Sequence, residues 1–406
     1  MLWEYGPSTT TRSATTRSAT TNGEPHVKAR ELMSSVSLVA VIAIGCAPPE
    51  PANGPNPDTA PQASIAAYSA AGPYAVGVAT LNLLDDRKVE VWYPADPASV
   101  GDQAPDIYFL KSFLGPGFQV LLPAEVNPPF VTDAYRGLPA AAGSFPLVLF
   151  SHGAASYRLQ STFLTTHLAS WGFVVMSPDF LERGLQNLGG TAPSPPKSND
   201  TVLSATVDLA NSLADAPGGP LQGRIDTTKI YPIGHSAGGG ASTAFAYRPE
   251  ISSWISMSAG TGTPLFTPLP PAPKTAMWMV GYNDQVASPD TVRIAYEWTP
   301  GEGKFVGIGG AGHNNAFTDI CTIGGAGGPV GLAIEAGLPV PEFIARLGND
   351  GCLAPNKPSQ DLWPIVRHFV TAELRFRSDL DSTPVGLGSG VTAAFPNALV
   401  IYRHDP

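Results

Sequence analysis

From about Tyr74 onward, short apolar runs alternate with segments whose apolar residues recur at helical spacing. That alternation predicts a mostly parallel sheet with helices on both faces. Val76 to Thr80 and Val89 to Tyr93 flank the charged turn Asp85-Asp86-Arg87-Lys88 and predict an opening hairpin. Phe145 to Phe150 is a continuous apolar run, as in a strand buried on both faces. Phe163 to Trp171 predicts a helix closed by Gly172, with a strand at Phe173 to Met176. Val202, Ala205, Leu209 and Leu213 mark a helix whose cap falls in Ser198-Asn199-Asp200. Later strands are expected at Ile230 to Ile233, Trp254 to Met257, Ala276 to Val280 and Lys304 to Ile308, and a last helix on the stripe Leu362, Ile365, Val366, Phe369, Val370 and Leu374. Pro232 breaks the pattern, because a proline donates no ladder hydrogen bond and is awkward in a central strand. Beyond Thr383 the pattern predicts only a surface-packed tail.

The chain of 406 residues is 43% hydrophobic and 14% charged, enough apolar matter for a sizeable core. A net charge of −10 with no cluster of Lys and Arg argues against a nucleic-acid partner. The N-terminal region reads differently. Residues 8–21 contain Thr10-Thr11-Arg12-Ser13-Ala14 and its immediate copy, with no apolar face to bury. Lys28-Ala29-Arg30, the apolar run from Val36 to Ile44 and Gly45-Cys46 then predict an export signal, since the run is too short to span a bilayer. Ala43-Ile44-Gly45-Cys46 resembles a bacterial lipobox, which would make Cys46 a lipidation site and the membrane contact a lipid anchor; Ala43 stands where that motif more often has Leu, so plain cleavage or an uncleaved anchor are the alternatives. The late signal also suggests a start at Val27. Residues 47–70 follow as a proline-rich linker, and 71–406 as one folded domain. In an exported protein the remaining pair, Cys321 and Cys352, is expected to form a disulfide, with two buried thiols as the alternative. No His or Cys lies near them at ligand spacing, so no metal is expected.

The densest chemical signal is Gly234-His235-Ser236-Ala237-Gly238, placed directly after the apolar run Ile230 to Ile233 and before helix-prone Gly239 to Ala246. A strand, a tight turn and a helix in that order hold a serine hydroxyl exposed at a helix N-terminus, with backbone passing too close for a Cβ at the outer glycines. By itself the pentapeptide could be a surface loop. A serine nucleophile also needs a base and a group to orient it. Asp284 ends the strand-like Val280-Gly281-Tyr282-Asn283 and His313 ends Gly309-Gly310-Ala311-Gly312, in the order acid then histidine. Asp290 and Asp319 compete as the acid, and His368 and His404 as the base; Asp290 is expected to cap a helix, while His152 and His235 are expected to pack beneath the site, neutral and hydrogen-bonded.

With these residues the chain resembles the α/β-hydrolase superfamily over roughly residues 74–375. Gly-His-Ser-Ala-Gly-Gly-Gly at 234–240, Gly-Tyr-Asn-Asp-Gln-Val at 281–286 and Gly-Ala-Gly-His at 310–313 look like bacterial cutinase-type and PET-hydrolase-type esterases. Phe-Ser-His-Gly-Ala-Ala-Ser-Tyr-Arg at 150–158 is similar to platelet-activating-factor acetylhydrolases and dienelactone-hydrolase relatives. The resemblance implies an α/β-hydrolase fold with Ser236 as nucleophile, His313 as base, Asp284 as its orienter, and the backbone N–H groups of Ala237 and Ala154 as oxyanion donors. It implies a serine esterase with no cofactor, acting on small or lipid-like esters. Polyester-degrading relatives usually carry an aromatic residue where this chain has Ala154, and a tryptophan where it has Gly260-Thr261-Gly262, so the aromatic clamp on a planar ring is missing. An insertion at about 314–360, containing both cysteines, is expected to wall or cover the site and to set acyl-chain selectivity. A cutinase-type polyester hydrolase, a phospholipase or platelet-activating-factor-acetylhydrolase-type lipase, and a non-catalytic binding module of the same fold are the competing functions.

Overall fold

The computed structural model describes residues 65–406 except 84, 86, 122, 124–126, 190–193, 261–270 and 326. Cys46, the export signal and most of the proline-rich linker lie outside the described residues. Packing is already present at the start of the described chain. Tyr68 is buried, stands edge-on to Trp171 at 4.8 Å and donates its amide to His368 Nδ1.

A ten-stranded sheet organises the molecule. Strands β1 (Ala75–Asn82) and β2 (Lys88–Ala95) form the opening antiparallel hairpin. The small strands β3 (Ile107–Phe109) and β4 (Pro129–Val131) pair with each other, followed by β5 (Tyr135–Arg136) beside β1 and by the one-turn helix α1 (Pro116–Gln119) within the β3–β4 connection. β6 (Phe145–Ser151), helix α2 (Thr162–Ser170), β7 (Val174–Pro178), α3 (Asn199–Asp215), β8 (Ile225–His235), α4 (Ala237–Phe245) and β9 (Ser253–Met257) carry the centre. β10 (Thr275–Gly281), α5 (Pro289–Glu297) and β11 (Gly303–Ile308) continue it. The insertion adds α6 (Gly328–Glu335) and α7 (Glu342–Asn349) before the long α8 (Ser359–Arg377). With β12 (Val400–Asp405) at one edge, the sheet order is β12-β11-β10-β9-β8-β6-β7-β2-β1-β5, parallel from β11 through β7.

Both faces of the parallel strands are buried, which is why they read as continuous apolar runs. In β6, Val148 and Phe150 face a core shared with α2 and α8, while Leu147 and Leu149 face a second core shared with α3, α4 and α5. Ser198 caps α3 by accepting from the Thr201 amide, within the segment expected to hold the cap.

Three local readings are revised. The tail is not merely a surface covering: β12 (Val400–Asp405) pairs antiparallel with β11 and extends the sheet. Its outer residues are polar, so it lacks the apolar run of the interior strands, and backbone pairing plus the Tyr402–Phe369 contact at 5.3 Å hold it in place. Asp290 does not cap α5; Ser288 occupies the N-cap position, and Asp290 sits in the first turn, 3.6 Å from Arg293. Pro232 is tolerated because the β8–β9 ladder does not reach it. That ladder covers Ile233 to His235, and the next contact is an isolated bridge between Ile230 and Ile251, so position 232 has no ladder partner on that flank.

Cys321 and Cys352 form the disulfide suggested by their isolation, with a sequence separation of 31. Replacing both by alanine is expected to destabilise the protein by about 2–4 kcal/mol, since a cross-link of that span restricts the unfolded chain. Equilibrium denaturation of the double variant against the oxidised protein measures it.

Candidate active site

Ser236 sits at the junction of β8 and α4 with φ 56° and ψ −124°, a region that side-chain-bearing residues rarely occupy. The conformation is held from both sides: the Ser236 amide donates to Met257 O at 2.8 Å, and its carbonyl accepts from Gly240 at 3.2 Å. The flanking glycines are required by close approach, as their spacing suggested. A Cβ on Gly234 would lie 2.3 Å from Gly238 O, and one on Gly238 would lie 1.8 Å from Ser151 O.

Asp284 lies just beyond β10 and His313 just beyond β11, and the two side chains meet: His313 Nδ1 is 2.9 Å from Asp284 Oδ2. An ionised carboxylate only accepts, so Nδ1 carries a proton, and in the neutral imidazole Nε2 is then the ring's lone-pair nitrogen. The other carboxylate oxygen, Oδ1, accepts from the amides of Val286 at 2.8 Å and Ala287 at 2.7 Å. His313 Nε2 is buried without a hydrogen-bond partner. Ser236 and His313 line the same cleft, and no hydrogen bond joins them in this state.

The alternatives are engaged elsewhere. Asp319 is buried against the start of α2, where it accepts from the Thr162 amide at 2.6 Å and the Phe163 amide at 3.1 Å. His368 lies between the Tyr68 amide and the Gly386 carbonyl, and the partly exposed His404 contacts Glu302. His152 and His235 pack under the site. Burial, reinforced by the nearby Arg183 charge, holds the His152 imidazole down at about 3, and burial followed by the proximity of His313 pushes His235 well below its ordinary range. Both are therefore neutral at physiological pH.

His235 belongs to a relay that residue spacing gave no hint of. Gly153 donates its amide to Gln160 Oε1 at 2.8 Å, Gln160 Nε2 contacts His235 Nδ1 at 2.9 Å, and His235 Nε2 contacts His313 O at 2.8 Å. The relay thus ties the loop after β6 to the backbone of the histidine loop. It also leaves the Ala154 amide distinct: its neighbours are committed, Gly153 to Gln160 and Ala155 to Arg183 O at 2.7 Å. Ala237 is the first residue of α4, where an N–H has no intrahelical acceptor. Gly153 also packs close to the nucleophile candidate, since a Cβ there would lie 3.2 Å from Ser236 Cβ.

Above these groups lies a cleft of about 280 Å³. Leu110, Leu114 and Phe118 from the β3–β4 connection line one part of it; Val330, Leu332 and Ala333 from α6 and Phe343, Ile344 and Leu347 from α7 line another. The insertion therefore walls the cleft. Ala154 lines it too, and Tyr157 supplies an aromatic ring three residues on, stacked on Phe113 at 4.6 Å. Gly260 is described, whereas 261 and 262 lie outside the described residues. No cluster of metal-ligating side chains occurs among the described residues.

Residues 137–323, which run from before β6 to beyond His313, match the family model described as PET hydrolase-like. The fold is that of an α/β-hydrolase. Two curated relatives, both "Chlorophyllase-1, chloroplastic", from Citrus sinensis and Citrus unshiu, are each 28% identical over 139 residues, 33% of this chain. That similarity spans 38% of the length of those relatives. Residues 324–360 of the insertion, including α6 and α7, lie beyond the matched segment.

The tight approach at Gly238 generates a direct test. Gly238→Ala is expected to destabilise the protein by about 2–3 kcal/mol through forced backbone displacement, and to disturb the turn at Ser236. Thermal unfolding, together with the rate of labelling by a serine-directed probe, reads both effects.

Proposed function

We propose that the protein is a serine carboxylic-ester hydrolase acting on small or lipid-like esters. The observation that carries the reading is the Asp284–His313 pair, with Nε2 uncommitted, in the same apolar cleft as the strained Ser236. Ser236 Oγ attacks the ester carbonyl while His313 Nε2 takes its proton, and Asp284 holds the imidazole tautomer and stabilises the imidazolium. The amides of Ala237 and Ala154 hold the oxyanion. Collapse of the tetrahedral intermediate expels the alcohol, which receives the proton from His313, and water repeats the sequence on the acyl-enzyme. Each step uses protein groups and water, with no cofactor. A non-catalytic binding role has less support, since it gives no reason to combine a strained serine with an oriented histidine.

The apolar walls favour esters with a hydrocarbon portion on one side of the scissile bond, which extends the reading to lipase-type substrates. The PET hydrolase-like match keeps polyesters as a second reading, and Ala154 at the oxyanion position weighs against an aromatic clamp there. The disulfide supports export to an oxidising compartment, with Cys46 as the proposed lipid attachment point and the anchor as the membrane contact. Nucleic acid is not among the proposed partners.

A fluorophosphonate probe is expected to label the wild type and not Ser236→Ala, and the variant is expected to lose at least about 10⁴-fold in kcat on p-nitrophenyl esters. Full turnover by Ser236→Ala would dismiss the mechanism. A chain-length series with a polyester film alongside separates the substrate readings. Ala333→Trp, which adds bulk to the α6 wall, is expected to move the preference toward shorter acyl chains; an unchanged profile would remove that wall from selectivity.

A further inference from the structure

The insertion does more than wall the cleft. Asp350, immediately after α7 and two residues before Cys352, reaches back to the loops that carry the acid and the base. Its Oδ1 accepts the amide of His313 at 2.9 Å, across 37 residues of chain, and its Oδ2 accepts the amide of Gln285 at 2.9 Å, across 65. Its carbonyl also accepts the Asn314 amide at 3.0 Å. Approach is this close because position 312 has no side chain: a Cβ on Gly312 would lie 2.4 Å from Asp350 Oδ1.

The arrangement completes a division of labour in the acid turn. Asp284 uses one oxygen on Val286 and Ala287 and the other on His313, which leaves the Gln285 amide for Asp350. One carboxylate from outside the catalytic loops thus bonds to the backbone of His313 itself and to the residue directly after Asp284. Asp350 does not line the cleft that holds Ser236 and His313.

We infer that Asp350 is a positioning residue that holds the acid turn and the histidine loop at a fixed separation, so that the Asp284–His313 bond forms in the geometry that catalysis needs. The inference rests on the proposed roles of Ser236, Asp284 and His313. An error of about 1 Å in such a constellation lowers turnover by about 10²-fold. Binding of substrate, which depends on the cleft walls, is not routed through Asp350.

The test compares wild-type, Asp350→Asn and Asp350→Ala full-length protein, with kcat and KM measured separately on a soluble p-nitrophenyl ester. The deshielded Nδ1 proton of His313 is followed by NMR, and thermal unfolding checks the fold. Asp350→Ala is expected to lower kcat by about 10²-fold, with Asp350→Asn, which keeps one acceptor oxygen, in between. KM is expected to stay within about twofold and the His313 proton resonance to shift or broaden. Unchanged kcat in a folded variant would overturn the inference, as would a loss of kcat in step with thermal stability while the resonance stays in place. Should the alanine variant not fold, amide hydrogen exchange on the wild type decides: Gln285 and His313 are expected to be protected together, and free exchange at Gln285 would overturn it. Failure of the underlying reading is separate, since it would appear as retained turnover in Ser236→Ala.

Discussion

The backbone of Ser236 is the constraint on which the site depends. Its φ of 56° costs about 1–3 kcal/mol, and the surrounding structure has to enforce it. Two glycines allow strand β8, helix α4 and the end of β6 to come within contact distance, and the bond from the Ser236 amide to Met257 anchors the turn to β9. Because β6, β8 and β9 are neighbours in the sheet, the loop after β6 is brought against the serine, and Ala154 arrives with its amide uncommitted. Relaxing the turn would move the hydroxyl and the first amide of α4 together.

A second tier of polar bonds keeps the loops around that turn in register. The Gly153–Gln160–His235–His313 relay crosses beneath the cleft, and burial keeps both histidines under the site neutral, so that the relay adds no charge beside His313. Asp350 fastens the same histidine loop to the insertion. The apolar insertion helices and the disulfide at their base then build the cleft wall above. One insertion thus makes two kinds of contact: its leucines and phenylalanine line the cleft, and Asp350 ties the loops of Asp284 and His313 together.

Much of this is legible in the sequence. The interior strands are buried on both faces, and an apolar run of that kind is visible in one dimension. The strand, turn and helix around Ser236 follow from local glycine placement, and Asp284 and His313 stand at strand ends in the right order. Less legible were edge elements and caps. β12 has a largely polar outer half, Asp290 lost the cap to Ser288, and Pro232 looked misplaced because a gap in one flanking ladder leaves no mark on the residues themselves.

The fold class, the place of the serine turn, a short set of candidate acids and bases and the expectation of a Cys321–Cys352 pair are all readable in one dimension. These depend on periodicity, on glycines that permit one backbone shape, and on a small set of residue types. Packing in three dimensions sets His313 Nδ1 on Asp284 rather than on Asp290 or Asp319, brings Gln160 to His235 across 75 residues, and places Asp350 on the loops that carry Asp284 and His313. Such bonds form or fail on differences of a few tenths of an ångström between distant chain segments. That distance is set by how the sheet and helices pack, and no local pattern encodes it.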